Sequence, residues 1–336
     1  MLQIVSGVLW DWGSELLAKS HRRFFREISS RPEHASNKRH FATQEGQSMK
    51  RIARCLWGTA LLYVGIGVAA AQETTPPPKV LVIDREFTKP GKGGSGHDKS
   101  ESAFVQAFAR AKWPTHYFAA NSMTGKSRTL FFIGYDSFDA WEKDNMAAEK
   151  NAALSGALDR AVAADGDLLS ETDNAALTYN EDQSLRGPVD IAHMRYFEIS
   201  LYRVRAGHSH EWEELVKLVK GAYDKIPDAH WAVYEEMYGQ EDTTYVVIVP
   251  MKSLAEVDKS MQNDKQFVDA MGEDGMKRLG ELESSAVEYH QTNLFHFNPA
   301  MSYPRDEWVK ADPDFWKPKP AAKAAAKTKE EPAAKQ

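Results

Sequence analysis

The sequence predicts an α+β fold in which one order of elements, strand-helix-strand-strand-helix-strand, occurs twice in succession. Three observations support this prediction. Segments of similar pattern recur in the same order and at nearly the same spacing between residues 79 and 304. Runs rich in β-branched and aromatic residues alternate with segments whose apolar residues fall at helical spacing. Prolines and glycine-containing turns separate these segments at corresponding places in both halves.

The internal repeat is visible in paired segments. KVLVIDREFTKPG corresponds to RYFEISLYRVRAG, GHDKSESAFVQAFARA to GHSHEWEELVKLVKGA, and LTYNEDQSL to FHFNPAMSY. The matched residues include Gly96 and Gly207, His97 and His208, His116 and His230, Asn180 and Asn298, and Ser184 and Ser302. Because these matches keep one order, we expect the two halves to share one fold.

The first strand and the first helix of each half follow from side-chain type and spacing. Val80 to Thr88 and Tyr196 to Val204 are rich in strand-forming residues. The helices are predicted from apolar residues at helical spacing, namely Phe104, Phe108 and Ala111 in one half and Trp212, Leu215, Val216 and Val219 in the other. Pro114 and Pro227 follow these helices and are expected to stop them.

The remaining elements repeat as well. Two strands joined by a glycine-containing turn are predicted at His116 to Asn121 and Thr129 to Tyr135, and again at His230 to Met237 and Thr243 to Val249. Ser137 and Ser253 are expected to cap a second helix in each half. A last strand is predicted near Ala175 to Tyr179 and near Val287 to Phe297. The predicted repeats span residues 79–187 and 193–304.

The order β-α-β-β-α-β is the ferredoxin-like pattern, an antiparallel sheet with its helices on one face. The other face of such a sheet needs a partner. On these paired motifs and this element order, the chain resembles the dimeric α+β barrel superfamily, with its antibiotic-biosynthesis monooxygenase-like and NIPSNAP-like domains. The resemblance implies two ferredoxin-like repeats packed as a dimeric α+β barrel. Relatives in that superfamily include cofactor-free oxygenases, haem proteins and members without known chemistry, so the fold alone selects no activity.

Residues 49–71 have the pattern of a cleaved signal peptide. Three basic residues precede an apolar run, and Ala69 and Ala71 supply the small residues that a signal peptidase requires. A membrane anchor and a buried helix are the alternatives, but the run of roughly 16 residues is short for a bilayer, and three prolines follow. We therefore expect a periplasmic or secreted protein whose mature chain begins at Gln72, without a membrane span.

The segments at the two ends of the chain are not expected to fold. Residues 1–48 are polar and without sustained apolar periodicity, so we interpret them as a disordered, over-extended gene start with translation beginning at Met49. Residues 317–336 are a low-complexity Ala/Lys/Pro tail, which is expected to be disordered. Its lysines leave open a role as a tether to the cell envelope.

Charge and cysteine content exclude several functions. The whole chain has 42 basic and 48 acidic residues, and removal of residues 1–71 leaves 32 and 43. This acidic balance argues against nucleic acid and anionic lipid as partners. The only cysteine, Cys55, lies in the predicted signal, so the mature chain has no disulfide or thiolate chemistry. We expect a small-molecule ligand as the partner, with self-association as a further expectation.

Candidate binding residues follow from strand alternation. If Phe197, Ile199 and Leu201 face the helices, then the alternating polar residues of the same strand face the barrel interior. The predicted binding residues are Glu198, Ser200, Tyr202, Tyr234, Glu236, Asp84 and Glu86. The alternative is that these side chains only form hydrogen bonds across the interface between the sheets.

His116 and His230 are the candidate catalytic residues, because both halves place a histidine where the second strand begins. An imidazole titrates near neutral pH and can remove a proton from a phenol or enol. Each histidine could instead cap its strand.

Other histidines of the chain leave two cofactor alternatives open, a metal ion and haem. His208 and His210 are close enough in sequence to share a metal ion, although their acidic neighbours also suit a helix start. Noncovalent haem is left open through His193, His290 or His296. The prediction is nevertheless no metal site and no cofactor.

The leading functional prediction is an exported protein that binds a small, mostly apolar ligand or has an accessory role, with no established catalysis. One alternative is a cofactor-independent monooxygenase or isomerase, in which His230 or His116 is the base and Glu198 or Tyr202 orients the substrate. Another alternative is an envelope structural protein tethered by its Lys-rich tail. Whether the protein is an enzyme is left undecided by the sequence.

Overall fold

Eight antiparallel strands form a closed barrel in the computed structural model, which describes residues 74–239 and 243–317. The predicted signal peptide, the segment before it and the tail beyond Lys317 lie outside the described residues. No helix within these two ranges is long and apolar enough to cross a membrane.

The strands follow the predicted order, but two helices stand where one was predicted before the last strand of each half. The first half consists of β1 (Val80–Thr88), α1 (Ser95–Ala111), β2 (Tyr117–Ser122), β3 (Arg128–Tyr135), α2 (Phe138–Lys150), α3 (Ala152–Asp165) and β4 (Leu169–Leu185). The second half consists of β5 (Tyr196–Val204), α4 (Ser209–Tyr223), β6 (Trp231–Tyr238), β7 (Thr244–Met251), α5 (Ala255–Gln262), α6 (Asp264–Ala286) and β8 (Val287–Tyr303). Two short helices follow, α7 (Asp306–Ala311) and α8 (Pro313–Trp316).

The strand order around the barrel is β1-β3-β2-β8-β5-β7-β6-β4. Pairing of β2 with β8 and of β4 with β6 joins the two halves and closes the barrel within one chain. The prediction of a mixed α+β fold is therefore confirmed, and its strands form a closed antiparallel barrel. The sequence had left open whether such a barrel closes within one chain or between two.

Both faces of the barrel strands are buried. One cluster fills the interior and includes Leu81, Ile83, Phe132 and Ile248. Helices cover the outer face, where Trp212 of α4 packs with strand residues such as Val247. A closed barrel with an outer helical layer therefore places apolar residues on both sides of a strand, and alternation in the sequence cannot distinguish the two sides.

One of the two predicted helix caps is present in the structure and the other is not. The Ser137 side chain accepts a hydrogen bond from the backbone N–H of Ala140 at 3.1 Å, which confirms it as the cap of α2. The prediction for Ser253 is wrong, because α5 begins after Leu254 without a side-chain cap. The backbone oxygen of Ser253 accepts a hydrogen bond from the N–H of Glu256 at 3.2 Å.

The long strands β4 and β8 depart from regular strand pairing in the same way, through a serine hydroxyl that bonds both its own strand and the neighbouring one. In β4 the Ser184 hydroxyl donates to the Asn180 carbonyl oxygen at 2.6 Å and accepts from the Val233 N–H at 2.9 Å. In β8 the Ser302 hydroxyl donates to the Asn298 carbonyl oxygen at 2.6 Å and accepts from the N–H of Ala119 at 2.9 Å. The repeated Asn and Ser of the sequence therefore shape the two seams that join the halves.

Candidate functional site

A cavity of about 340 Å³ opens at one end of the barrel. Its wall is mostly apolar and aromatic, and both repeated histidines, His116 and His230, belong to it. Enclosed apolar cavities with a few polar groups are the usual form of small-molecule sites. The cavity is therefore the candidate functional site.

An N-terminal strap, Thr75 to Pro78, passes along the cavity wall. Thr75 pairs with Val189 through two backbone hydrogen bonds of 2.7 and 3.3 Å, and its hydroxyl accepts from Trp308 Nε1 at 3.4 Å. Pro78 lies against the backbone of Gly134, so closely that a Cβ at that position would be 2.8 Å from the proline ring. The proline residues stiffen the strap, and the glycine permits its close approach.

Aromatic rings line the inner part of the cavity. Phe118 stacks on Phe132 with ring centroids 4.9 Å apart, and Phe132 lies 5.3 Å from Phe197. Trp308 approaches Phe118 edge-on at 5.7 Å. Such a surface makes favourable contacts with a flat, apolar molecule.

His116 is a polar residue of the wall with unused hydrogen-bonding capacity. Its Nδ1 atom is buried and has no hydrogen-bond partner among the described residues. Its ring stacks on Tyr303 with centroids 4.6 Å apart. Because a buried unpartnered nitrogen is costly, a ligand that donates to it or accepts from it would stabilise this side chain.

His230 is held differently. Nδ1 lies 2.8 Å from the carbonyl oxygen of Asp228, and Nε2 lies 2.8 Å from that of Pro250. Carbonyl oxygens only accept, so both ring nitrogens must donate if both hydrogen bonds are to form. A ring held in this way has no lone pair with which to remove a proton, which counts against His230 as the base.

Tyr234 and Glu236 lie on the same side of β6 as Ala232, as predicted. Tyr234 belongs to the cavity wall, and burial raises the pKa of its phenol, which therefore stays protonated. Glu236 lies further along the strand, beyond the cavity. Burial raises the pKa of Glu236 to about 7, with the Arg85 charge opposing and the Asp173 charge adding to this effect.

The predicted orientation of β5 is wrong. Phe197 belongs to the barrel interior, whereas Glu198 and Ser200 lie beneath α4 with Trp212. Tyr202 also belongs to the outer cluster, where it packs on Trp212. The interior takes the apolar residues of this strand because the barrel has its own aromatic core. The structure therefore does not bring Glu198, Ser200 or Tyr202 into the cavity.

Asp84 and Glu86 are also outside the barrel interior. Their neighbours Leu81 and Ile83 face inward, so strand alternation turns both carboxylates to the helical side. Asp84 is exposed, and Glu86 lies 3.0 Å from His97 Nε2. Of the predicted site residues, the cavity brings together His116, His230 and Tyr234.

Three of the histidines that the sequence leaves open as metal or haem ligands lie away from this cavity. His208 Nδ1 lies 3.2 Å from Glu211 Oε1 and 3.1 Å from Ser285 Oγ, at the start of α4. His290 stacks on Tyr202, with ring centroids 4.3 Å apart. His193 Nδ1 lies 2.7 Å from a carboxylate oxygen of Asp190. None of these three belongs to the cavity wall.

Sequence reasoning missed the strap, the aromatic lining and Trp308. One signal was available for the lining, because Phe118 lies two residues after His116 and therefore shares its side of the strand. No comparable signal marks the strap or Trp308. Their contacts with the cavity depend on the closure of the barrel.

Comparison with known proteins shows likeness in fold only. No family model matches the chain, and neither does any curated protein sequence. A Fusobacterium nucleatum structure provisionally named a monooxygenase has 12% identity and a TM-score of 0.44, covering 66% of this chain and 93% of its own. An anthrone oxidase-like protein has 13% identity and a TM-score of 0.46, covering 69% and 98%. A mutant chlorite dismutase from Candidatus Nitrospira defluvii has 9% identity and a TM-score of 0.39, covering 70% and 95%.

Proposed function

We propose that the cavity binds a small, flat, mostly apolar molecule and that His116 accepts a proton from it. The observation behind this proposal is the buried Nδ1 of His116, which has no partner among the described residues and belongs to an aromatic cavity. The substrate class is an aromatic molecule that carries an enolisable carbonyl or a phenol. This corresponds to the cofactor-independent monooxygenase or isomerase alternative.

The chemistry begins with transfer of a proton from a carbon or oxygen of the ligand to the imidazole of His116. The enolate or phenolate anion that results can react in two ways. In isomerisation, His116 returns the proton to a different atom of the ligand. In oxygenation, the enolate reacts with molecular oxygen, and a CH₂ group becomes a carbonyl while water is released. An apolar wall favours both outcomes, because it excludes bulk water from the reactive anion.

Ligand binding without chemistry is the second candidate function. It is supported by His230 and Tyr234, two further polar residues of the wall, neither of which is available as a base. Both nitrogens of His230 face backbone carbonyl oxygens, and the phenol of Tyr234 stays protonated. If His116 only holds a ligand by a hydrogen bond, the protein is a carrier or an accessory protein.

Deuterium exchange into 2-tetralone, an enolisable aromatic ketone, separates the two candidates. His116→Gln is expected to reduce the protein-catalysed exchange rate by about a hundredfold, since a positioned general base contributes at least that much. The measurement is proton NMR in D₂O, with His230→Gln as the matched control. Exchange that does not exceed the buffer rate, while 2-tetralone still binds, would leave binding without chemistry as the function.

The finer architecture is also a proposal. We infer two ferredoxin-like repeats, at residues 79–187 and 193–304. Support comes from the order of neighbouring strands, which is β4-β1-β3-β2 in one half and β8-β5-β7-β6 in the other. The matching irregularities around Ser184 and Ser302 give independent support.

Export and self-association stay proposals as well. A signal peptide at residues 49–71 would release a periplasmic or secreted protein that begins at Gln72, and the tail at residues 317–336 would be a tether in the structural alternative. N-terminal sequencing of the protein from its native source is expected to begin at Gln72. A native N-terminus before Met49 would contradict both the signal and the proposed translation start.

A further inference from the structure

A second group of polar side chains lies on the outer face of the barrel, beneath α1 and α3. Glu86 comes from β1, His97 and Glu101 from α1, and Asp165 is the last residue of α3. His97 and Glu101 are four residues apart, so they lie on one face of their helix. Each of the four offers one nitrogen or oxygen, and these atoms all lie within 4.8 Å of one another.

Three of the four side chains are almost completely buried. His97 is 1% exposed, Glu101 3% and Asp165 2%. Neither carboxylate oxygen of Asp165 has a hydrogen-bond partner among the described residues, and neither does Oε1 of Glu101. The nearest cationic group to Asp165 is His97, whose Nε2 lies 3.6 Å away. Buried carboxylates without partners are costly, so the group as it stands is short of positive charge.

The position of Asp165 increases this cost. It ends α3, and the partial negative charge of a helix C-terminus disfavours a carboxylate there. The group therefore requires either bound protons or a cation.

The hydrogen bonds around His97 hold its ring with Nε2 directed at the carboxylates. Thr129 donates its hydroxyl proton to Asn121 Oδ1 at 3.0 Å, so its oxygen is an acceptor toward His97 Nδ1, at 3.5 Å. This arrangement favours the tautomer with the proton on Nδ1. Nε2 lies 3.0 Å from Glu86 Oε2, so without a metal it donates a proton to this carboxylate, and a bound cation would take the place of that proton. Metal-binding histidines are commonly oriented by a partner on the other ring nitrogen in this way.

The second half of the chain shows that the fold does not need this polar group. Trp212 of α4 is the residue that the sequence repeat aligns with Glu101, and Tyr202 of β5 aligns with Glu86. These two pack ring against ring with centroids 5.2 Å apart. Ordinary aromatic packing therefore suffices between helix and sheet, and the polar residues of the first half call for a separate explanation.

We propose that Glu86, His97, Glu101 and Asp165 bind one divalent transition-metal cation that holds α1 and α3 on β1. One imidazole nitrogen with three carboxylate oxygens suits Zn²⁺, Mn²⁺ or Fe²⁺. Ligand atoms about 2.0–2.2 Å from one ion lie at most about 4.4 Å apart, so small side-chain movements complete the site. All four ligands come from protein, as in structural metal sites. This site is separate from the cavity and replaces the prediction of no metal.

The test uses the full chain stripped with EDTA and then given ZnCl₂ or MnCl₂ separately. Elemental analysis after gel filtration is expected to show one additional equivalent of at least one metal in the wild type. The midpoint of thermal unfolding should rise by roughly 5–10 °C at a hundredfold excess over Kd. Glu101→Gln and Asp165→Asn keep side-chain shape and are expected to lose both effects. The matched control Glu211→Gln, beside His208 on α4, should keep them.

Direct metal analysis keeps the test valid if a variant changes the baseline stability. Stoichiometric binding that is lost in Glu101→Gln and Asp165→Asn supports the site. The proposal is overturned if the wild type takes up no stoichiometric Zn²⁺ or Mn²⁺ and its unfolding midpoint does not change. It is equally overturned if both variants bind as much metal as the wild type does.

Discussion

Glu236→Gln is expected to stabilise the protein at pH 8 by about 3 kcal/mol and to leave it nearly unchanged at pH 4. Both carboxylate oxygens of Glu236 are buried without a hydrogen-bond partner among the described residues. Burial raises its pKa from 4.5 to about 7. A shift of that size corresponds to about 3 kcal/mol, at 1.36 kcal/mol for each pKa unit.

The sign follows from proton linkage. Above pH 4.5 the unfolded chain loses this proton, while the folded protein keeps it until about pH 7. Wild-type stability therefore falls as the pH rises through this interval and stays low above it. The glutamine side chain of the variant does not titrate. The difference in free energy of unfolding between the variant and the wild type therefore grows over the same pH interval.

Urea unfolding followed by circular dichroism at pH 4, 6 and 8 measures this effect. Glu235→Gln is the matched control, because it removes the same charge from the opposite face of β6. If Glu236→Gln raised the free energy of unfolding equally at all three pH values, the buried carboxylate of Glu236 could not be the cause. An equal gain in the Glu235→Gln control would point to net charge as the cause.

The fold could be predicted because its signals are local. Strand-forming residues, helical spacing and turn residues each act over a few positions, and the repeat provides every element twice. The two histidines were predicted for the same reason, since His116 and His230 occupy matching positions. The difference in chemistry between the two histidines could not be predicted, because Asp228 and Pro250 approach His230 only in the folded chain.

The orientation of β5 shows where sequence reasoning stops. Phe197 and Tyr202 are both buried, one facing the barrel core and one beneath α4. Strand alternation predicts that these two side chains point to opposite faces of β5. It does not predict which face lies inside the barrel, because both faces are apolar. The group around His97 was missed for a different reason. Its members lie on three segments, and only the spacing of His97 and Glu101 was visible in the sequence.

Ala232→Phe tests the central claim, that the barrel cavity is a binding site for a small aromatic molecule. Ala232 belongs to the cavity wall beside Tyr234 and Ile248, so a phenyl ring placed there would occupy the space that a ligand needs. Ala147→Leu, at an exposed position on α2, is the control for a larger side chain outside the cavity.

The most direct measurement is a calorimetric titration of the wild type and both variants with 2-tetralone. Saturable binding to the wild type and to Ala147→Leu, weakened at least about tenfold in Ala232→Phe, is the expected result, equivalent to a loss of about 1.4 kcal/mol or more. Binding of equal strength in Ala232→Phe, or no saturable binding to the wild type, would contradict the assignment of the cavity as the functional site.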